Sequence, residues 1–568
     1  MSKKNKRKKS RVKKPEIQKK QNALIFFAIT AAAVVAAFAF ELIIFAVNGN
    51  FNVARVVLLA IFAAASGIIY KFRLYKNFET FYDPSRKRHR MAAVLLCAAC
   101  VFISILMSVL LHINTNDIQY PLKNSVDMYN PYIQQFDAFK KGQLHIDYQP
   151  DPRLAALENP YDFNTREAMG IPYLWDRAYY NGRYYSYFMI APILTLYYPH
   201  YIIRGTLPAD DYVLRVFAIM TALFFTLSII KWAGDYTRRL PLTILFVGAG
   251  AALFSTQVFL VSRGLNRIYY LATIAGMAYA ALFIFLLLCA LSTIPGKNRY
   301  ILFVLSGVAY SLTFLSRMNI ALLLAFAIVP AVWFKIIKPN LKDKKNLFAE
   351  LASLGIPVLL TAVFQMWYNK ARFSGIFDFG VTYQLTVSDI SLNRIRILDI
   401  FPAIYHYFLQ PLLFWDFPFI TLQWTSLKNY GHYVYVDTNF GLFSIPMFFA
   451  LFGGVKVFMD KNVQTGFKIT LASVLAGILA IAWINFSLAG VIFRYTCDLT
   501  LVAAFVSIVI VFYLCDNVSE IRKPAVYIYT TAFCVVSLLY SLFFALSSND
   551  NLSPYSSNVR MFFKNLFI

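Results

Sequence analysis

Charged side chains are scarce in this chain. Asp, Glu, Lys and Arg make up 14% of its 568 residues, against about 25% in a soluble domain of ordinary composition. That shortfall, together with 59% hydrophobic residues in repeated long runs, excludes one large soluble body and points to a polytopic membrane protein. Acid is scarcer than base: 28 Asp and Glu stand against 54 Lys and Arg, a formal net charge of +26. On a soluble protein such an excess would suggest nucleic acid, but no nucleic-acid motif accompanies it. Much of it lies in Ser2 to Lys20 and in loops between apolar runs. The positive-inside rule and anionic lipid account for that placement, so no nucleic-acid partner is expected.

Cysteine is also scarce. Of the six, Cys97 and Cys100 form a CxxC inside the apolar run AAVLLCAACVFISIL. Without a second pair or nearby histidines this reads as packing, not as a metal or redox site. No cysteine falls in residues 113–211, so no disulfide is expected to hold that segment. Also missing are GxxxxGK[ST], GxGxxG between a strand and a helix, HExxH and GxSxG. The loops read as cytoplasmic are short and offer no nucleotide site. The first apolar run, 22–47, is longer than the roughly 7–15 residues of a signal-peptide core and is read as a retained span.

What is present divides the chain. At about 20 apolar residues per crossing, with basic loops inside, the sequence predicts an all-α polytopic protein of about 13 transmembrane helices. Residues 1–21 are a basic cytoplasmic tail, and 22–112 hold three spans, at 22–47, 52–71 and 91–112. Residues 113–211 are the polar exception, a large extracytoplasmic loop. Within it Tyr184 to Arg204 is apolar, but a crossing there would place the later basic loops outside. Pro192, Pro199, His200 and its tyrosines suit a headgroup interface, so it is read as lying on the outer surface. Residues 212–368 hold spans four to nine, and 369–437 form a second outer segment with an interfacial stretch from Tyr405 to Phe419. Residues 438–568 hold the last spans, at 438–458, 467–486, 497–514 and 524–546.

An enzyme acting at the outer face lacks nucleotides, so its activated substrate must arrive in the lipid. Glycosyl transfer from a phosphate donor needs a base for the acceptor hydroxyl, cations for the leaving phosphate and flat groups to orient sugars. The outer segments contain all three residue types. Asp127, followed fifteen residues later by Gly142 in KKGQLHID, resembles the first outer loop of the C-type (GT-C) membrane glycosyltransferases. Protein O-mannosyltransferases and lipid A aminoarabinose transferases place an Asp-Glu pair there. NPYD, LWDRAYYNGRYYSYF and ARFSGIFDFGVTYQLT are similar to a bacterial group within that superfamily.

The resemblance implies a GT-C-like bundle whose first loop bears juxtamembrane helices. It also implies a polyprenyl-phosphate sugar donor, inversion at the anomeric carbon and a first-loop Asp as base. The acceptor stays open among glycan, lipid and protein. Met128 stands where the family has Glu, which leaves a divalent cation an open question; no other cofactor is expected. The implied location is the cytoplasmic membrane, with the active site outside.

Asp127 is then the first candidate base. Asp137, ten residues on, lies within about 80° of it on a helix and is the second. Asp147 matches a mannosyltransferase-like position and would orient the acceptor or the loop, and Asp176 is expected to pair with Arg177. Arg263 and Arg267 flank a short outer turn and are the leading phosphate ligands, with Arg177, Arg183, Arg372 and Arg494 further candidates. Trp175, Tyr179 and Tyr180 are candidates for stacking on sugars. The rival class is a polytopic lipid or solute transporter or flippase, which usually shows internal repeats and broken spans; neither is clear here.

Overall fold

The computed structural model describes residues 80–110, 130–262, 267–414, 420–424, 434–435, 437–546 and 561. Packing divides the chain into two units. In the first, Phe81 bridges Pro241 in antiparallel fashion, and the Leu242 N–H donates to the Thr80 carbonyl at 3.0 Å. The second, Tyr82–Leu240 with Ile244–Ser556, contains the elements that concern the site.

Twelve helices frame the description: α1 (Lys87–Leu110), α2 (Pro131–Lys140), α3 (Asp210–Tyr236), α4 (Leu242–Ser255), α5 (Arg267–Ser292) and α6 (Lys297–Phe314). They continue as α7 (Met318–Val332), α8 (Lys344–Phe373), α9 (Ile400–Ile404), α10 (Thr465–Ala489), α11 (Phe493–Asp516) and α12 (Lys523–Leu546). Among the described residues, nine helices are long and apolar enough to cross a membrane. They fall in α1, α3, α4 with its short continuation to Val261, α5, α7 with its continuation to Ile337, α8, α10, α11 and α12. Their surfaces fit lipid. On α8, Ile356, Leu359, Leu360, Val363 and Trp367 are all exposed, which in water would be an aggregation-prone face.

Four of the expected thirteen spans differ or fall elsewhere. Spans 22–47 and 52–71 lie outside the described residues. Helix α6 exists, but with Lys297 and Arg299 in its first turn it is more polar than the nine. The expected span at 438–458 is not one helix. It is a two-residue strand (Thr438–Asn439), 3₁₀ turns at Leu442–Ser444 and Pro446–Gly453, and a short helix Gly454–Met459. Gly441 and Pro446 break it: a Cβ on Gly441 would lie 2.6 Å from the Gln410 nitrogen, so the chain there is wedged against 408–410.

Tyr184 to Arg204 is likewise not a continuous helix. It leaves a short strand at Arg183–Tyr185, then forms a π turn at Ile193–Tyr197 and a helix Tyr198–Arg204 that stops at Gly205, whose φ is 71°. That helical length is too short to cross a bilayer.

The loop body is built from both polar segments. Strands β1 (Ala178–Tyr180) and β2 (Arg183–Tyr185) form an antiparallel hairpin. Its turn is Asn181-Gly182, both with positive φ, as a two-residue type I′ turn demands. Beyond β1, Asp176 N–H donates to the Leu385 carbonyl (2.9 Å) and Leu385 N–H to the Arg177 carbonyl (3.0 Å). Leu385 joins Ile146, Leu154, Ile171, Leu174, Tyr179 and Tyr184 in one apolar cluster. The fully buried Arg166 donates to the carbonyls of Pro160 and Thr386. The two polar segments, separate in sequence, are thus one body. Asn130 ties it to α3: its side chain caps α2 and also donates to both Asp210 oxygens at 2.7 Å.

The membrane helices approach closely at small residues, as expected where lipid supplies no hydrophobic force between helices. Gly307 of α6 lies against the Leu354 carbonyl of α8, and Gly477 of α10 against Phe326 of α7. A Cβ at Gly477 would sit 2.6 Å from Phe326 Cγ. Gly477→Val should therefore destabilise the protein by about 1–3 kcal/mol, read as a lower thermal midpoint in detergent. Adding Phe326→Ala should restore part of the loss. An unchanged midpoint would mean that these helices are not in tight contact.

Candidate functional site

A cavity of about 400 Å³ lies where the loop body meets the ends of α5, α7, α10 and α11. Trp175, Asp176, Tyr187 and Tyr269 form one side, and Arg317, Asn319, Asn485, Arg494 and Tyr495 another. The segment from Val381 to Asn393 closes a third.

Asp176 is the buried carboxylate of the loop side. Its φ is 55°, a left-handed conformation uncommon outside glycine. The two hydrogen bonds between its flanking backbone and Leu385 hold it there. Each carboxylate oxygen accepts from the Tyr187 hydroxyl at 3.1 Å. Burial, and then the negative charge of Asp176, push the Tyr187 hydroxyl well above its ordinary range, so it stays a proton donor.

The two arginines across the cavity are treated differently. Arg317, at the start of α7, is matched by Asp498 of α11: Nε donates to Oδ1 at 2.7 Å and Nη2 to Oδ2 at 2.9 Å. Asp498 is fully buried, and Asn319 donates to its Oδ2 at 3.3 Å and to Asn485 Oδ1 at 2.7 Å. Arg494 has no carboxylate at ion-pair distance among the described residues. Its guanidinium lies over the rings of Tyr269 (4.4 Å) and Tyr495 (5.1 Å), and Nη2 donates to the Tyr495 hydroxyl at 3.4 Å. Aromatic faces hold a cation in place without neutralising it. Arg494 is therefore the open positive charge of the cavity. Three buried polar atoms of the lining, Ser316 Oγ, Ser388 Oγ and Asn393 Oδ1, have no partner among the described residues. Each such atom costs about 1–3 kcal/mol unless a ligand or water meets it, so the cavity suits a polar occupant.

The residues singled out from sequence distribute unevenly. Asp127 and Arg263 lie outside the described residues. Arg267 opens α5, two positions before Tyr269 of the cavity. Asp137 is not in the cavity; it sits on the exposed side of α2, its carboxyl raised by desolvation against the opposing pull of Lys140 and Lys141. Asp147 is exposed and bound to Lys141, whose hydrogen bond and charge hold its carboxyl below the usual range. The expected Asp176–Arg177 ion pair does not form. Arg177 instead donates through Nε to Gln134 Oε1 (2.7 Å) and through Nη1 to the Trp175 carbonyl (3.0 Å).

Arg372 is buried under the hairpin, donating to the Ser186 carbonyl at 2.7 Å with Tyr368 3.7 Å beneath it. Arg183 is exposed in β2. Tyr179 belongs to the apolar cluster and Tyr180 packs on Tyr383 at 4.6 Å, which leaves Trp175 as the stacking candidate that lines the cavity.

Sequence reading missed Arg317, Asn319 and Asp498. A signal existed: Asp498 interrupts an apolar run, and an intramembrane carboxylate with a basic partner marks function more often than packing. Among the described residues no three His, Cys, Asp or Glu side chains converge as a metal site.

If Arg494 is the open cation, Arg494→Gln should weaken binding of a short prenyl phosphate about 10- to 100-fold, the worth of a charge-assisted hydrogen bond. Trp175 in the wall supplies a fluorescence readout. Arg183→Gln should bind as the parent does, and equal binding by Arg494→Gln would remove Arg494 from the site. No family model, no curated protein and no solved structure matches this chain.

Proposed function

We propose that this protein is an integral-membrane glycosyltransferase that moves a sugar from a polyprenyl phosphate to an acceptor hydroxyl at the outer face of the cytoplasmic membrane. The observation that carries this reading is the cavity. It pairs an unneutralised arginine with a separate buried carboxylate between aromatic walls, at the ends of membrane helices. A lipid-borne phosphate reaches such a place from the bilayer.

In this account Arg494 takes the lipid phosphate, and Arg317, by engaging Asp498, holds that wall rigid and leaves Arg494 unneutralised. Trp175 and Tyr269 orient the sugar. A first-loop aspartate accepts the proton of the acceptor hydroxyl. The hydroxyl oxygen attacks the anomeric carbon from the face opposite the phosphate, the carbon–oxygen bond to phosphate breaks with its electron pair going to the phosphate, and configuration inverts. Asp127 is the base by resemblance, and Asp176 is the first-loop carboxylate that lines the cavity, where Asp437 of the second polar segment also stands. Asp176 and Asp437 do not converge with a third ligand-type side chain among the described residues, so no step is routed through a divalent cation.

The test is transfer of radiolabel from a panel of polyprenyl-phosphate sugars to a membrane extract, with wild type, Asp127→Asn and Asp176→Asn side by side. Loss of a general base should lower transfer by about 10²–10⁴-fold, and the variant that loses it identifies the base. Equal transfer by all three would move the base out of the first loop. No transfer by folded wild type from any donor would sink the enzyme reading and make the transporter the one to test.

A further inference from the structure

The segment after the cavity wall is amphipathic the wrong way round for water. Over Ile397–Leu409, a helix too short to span a bilayer, Ile397, Phe401, Tyr405 and Leu409 recur every fourth residue. All four, with Leu398, are 50–80% exposed. The opposite side buries polar groups: Asp399, His406 and Gln410 are at most 4% exposed. His406 Nδ1 meets Gln410 Oε1 at 2.9 Å, the Tyr407 hydroxyl donates to the Gly490 carbonyl at 2.6 Å, and Asn439 donates to the His406 carbonyl at 2.8 Å. A helix that turns its polar residues inward and its apolar stripe outward is stable only against an apolar medium.

Just before it, Leu392 and Ile395 are also exposed, and between and beside them lie Arg394 and Arg396. Neither guanidinium has a carboxylate partner among the described residues, so two cations stand free at the edge of an apolar face. The depth of this strap is set by α10. The Trp483 indole donates to the Arg396 carbonyl at 2.7 Å, and Asn393 donates to the Leu488 carbonyl at 3.1 Å. Trp483 is six residues, about 9 Å, from the end of α10, the depth at which a span passes into headgroups. On its other side the strap lines the cavity through Asn393, next to Ile390 just before it.

We propose that residues 392–409 dock on the membrane surface by binding anionic phospholipid, with Arg394 and Arg396 on the headgroup phosphates and Ile397, Leu398 and Phe401 among the acyl chains. The occupant is anionic lipid because both free charges are positive and the apolar stripe beside them needs acyl chains to cover it. One strap then forms both the lipid contact and a cavity wall, so the lipid around the protein reaches the cavity through Asn393. This holds whatever the cavity transfers.

The test places Leu398→Trp in the full chain, in nanodiscs of phosphatidylcholine and phosphatidylglycerol, with one lipid or the other brominated near the headgroup end of its acyl chains. Both brominated lipids should quench the added fluorescence. Brominated phosphatidylglycerol should quench about twofold more at equal mole fraction, as local enrichment by two charges requires. Arg394→Gln with Arg396→Gln should erase that preference while quenching persists, and the paired Lys substitutions should retain it. No quenching of the added tryptophan by either lipid would put the strap in water and overturn the proposal. So would equal quenching by the two lipids with the arginines intact. Leu392→Trp reports on the same strap should Leu398→Trp not fold.

Discussion

The arrangement of the cavity depends on one buried ion pair. Arg317 and Asp498 meet by two hydrogen bonds of 2.7 and 2.9 Å between the ends of α7 and α11. Removing either partner leaves a charge in a low-dielectric wall, which typically costs about 3–5 kcal/mol. The helices are fitted to it: a Cβ on Gly276 of α5 would lie 2.6 Å from Arg317 Cβ, so only glycine lets α5 pass the arginine at that distance. The pair engages Asp498, the carboxylate one helical turn after Arg494 on α11. Arg494, four residues before Asp498, is left with aromatic rings for company. Site chemistry and helix packing are therefore one constraint here.

The second dependence is the union of the two polar segments. Residues near 176 and 385, more than two hundred positions apart, exchange backbone hydrogen bonds and share an apolar cluster. That exchange fixes Asp176 in a left-handed conformation and brings the Val381–Asn393 wall opposite Arg494. The wall then continues into the inverted amphipathic strap pinned to α10 by Trp483 and Asn393.

Much of the membrane architecture was legible because the period and length of apolar runs are local properties. The helices at α1, α3, α5, α8, α10, α11 and α12 stand close to where hydropathy predicts them. The run at 438–458 was misread because hydropathy counts apolar residues and not their backbone: Gly441 and Pro446 turn an apolar stretch into 3₁₀ turns. The Asn-Gly turn at 181–182 was readable, but the strand pairing with 384 that seats Asp176 was not, since a long-range bridge leaves no local mark. Among the site candidates, Arg494, Asp176 and Trp175 reach the cavity. Asp137 and Asp147 do not: Asp147 is bound to Lys141, and Asp137 lies on the exposed side of α2. Arg317 and Asp498 were overlooked because each looks unremarkable alone and matters as a pair.

The most direct test is a polyprenyl-phosphate sugar analogue carrying a photoreactive group on the sugar, cross-linked to the protein in its membrane and mapped by peptide mass spectrometry. The account predicts label on peptides containing Trp175–Phe188, Val381–Asn393 and Ile492–Tyr495. Label concentrated instead in the apolar groove between Ile328–Ile337 and Ile469, with none on the cavity peptides, would contradict it.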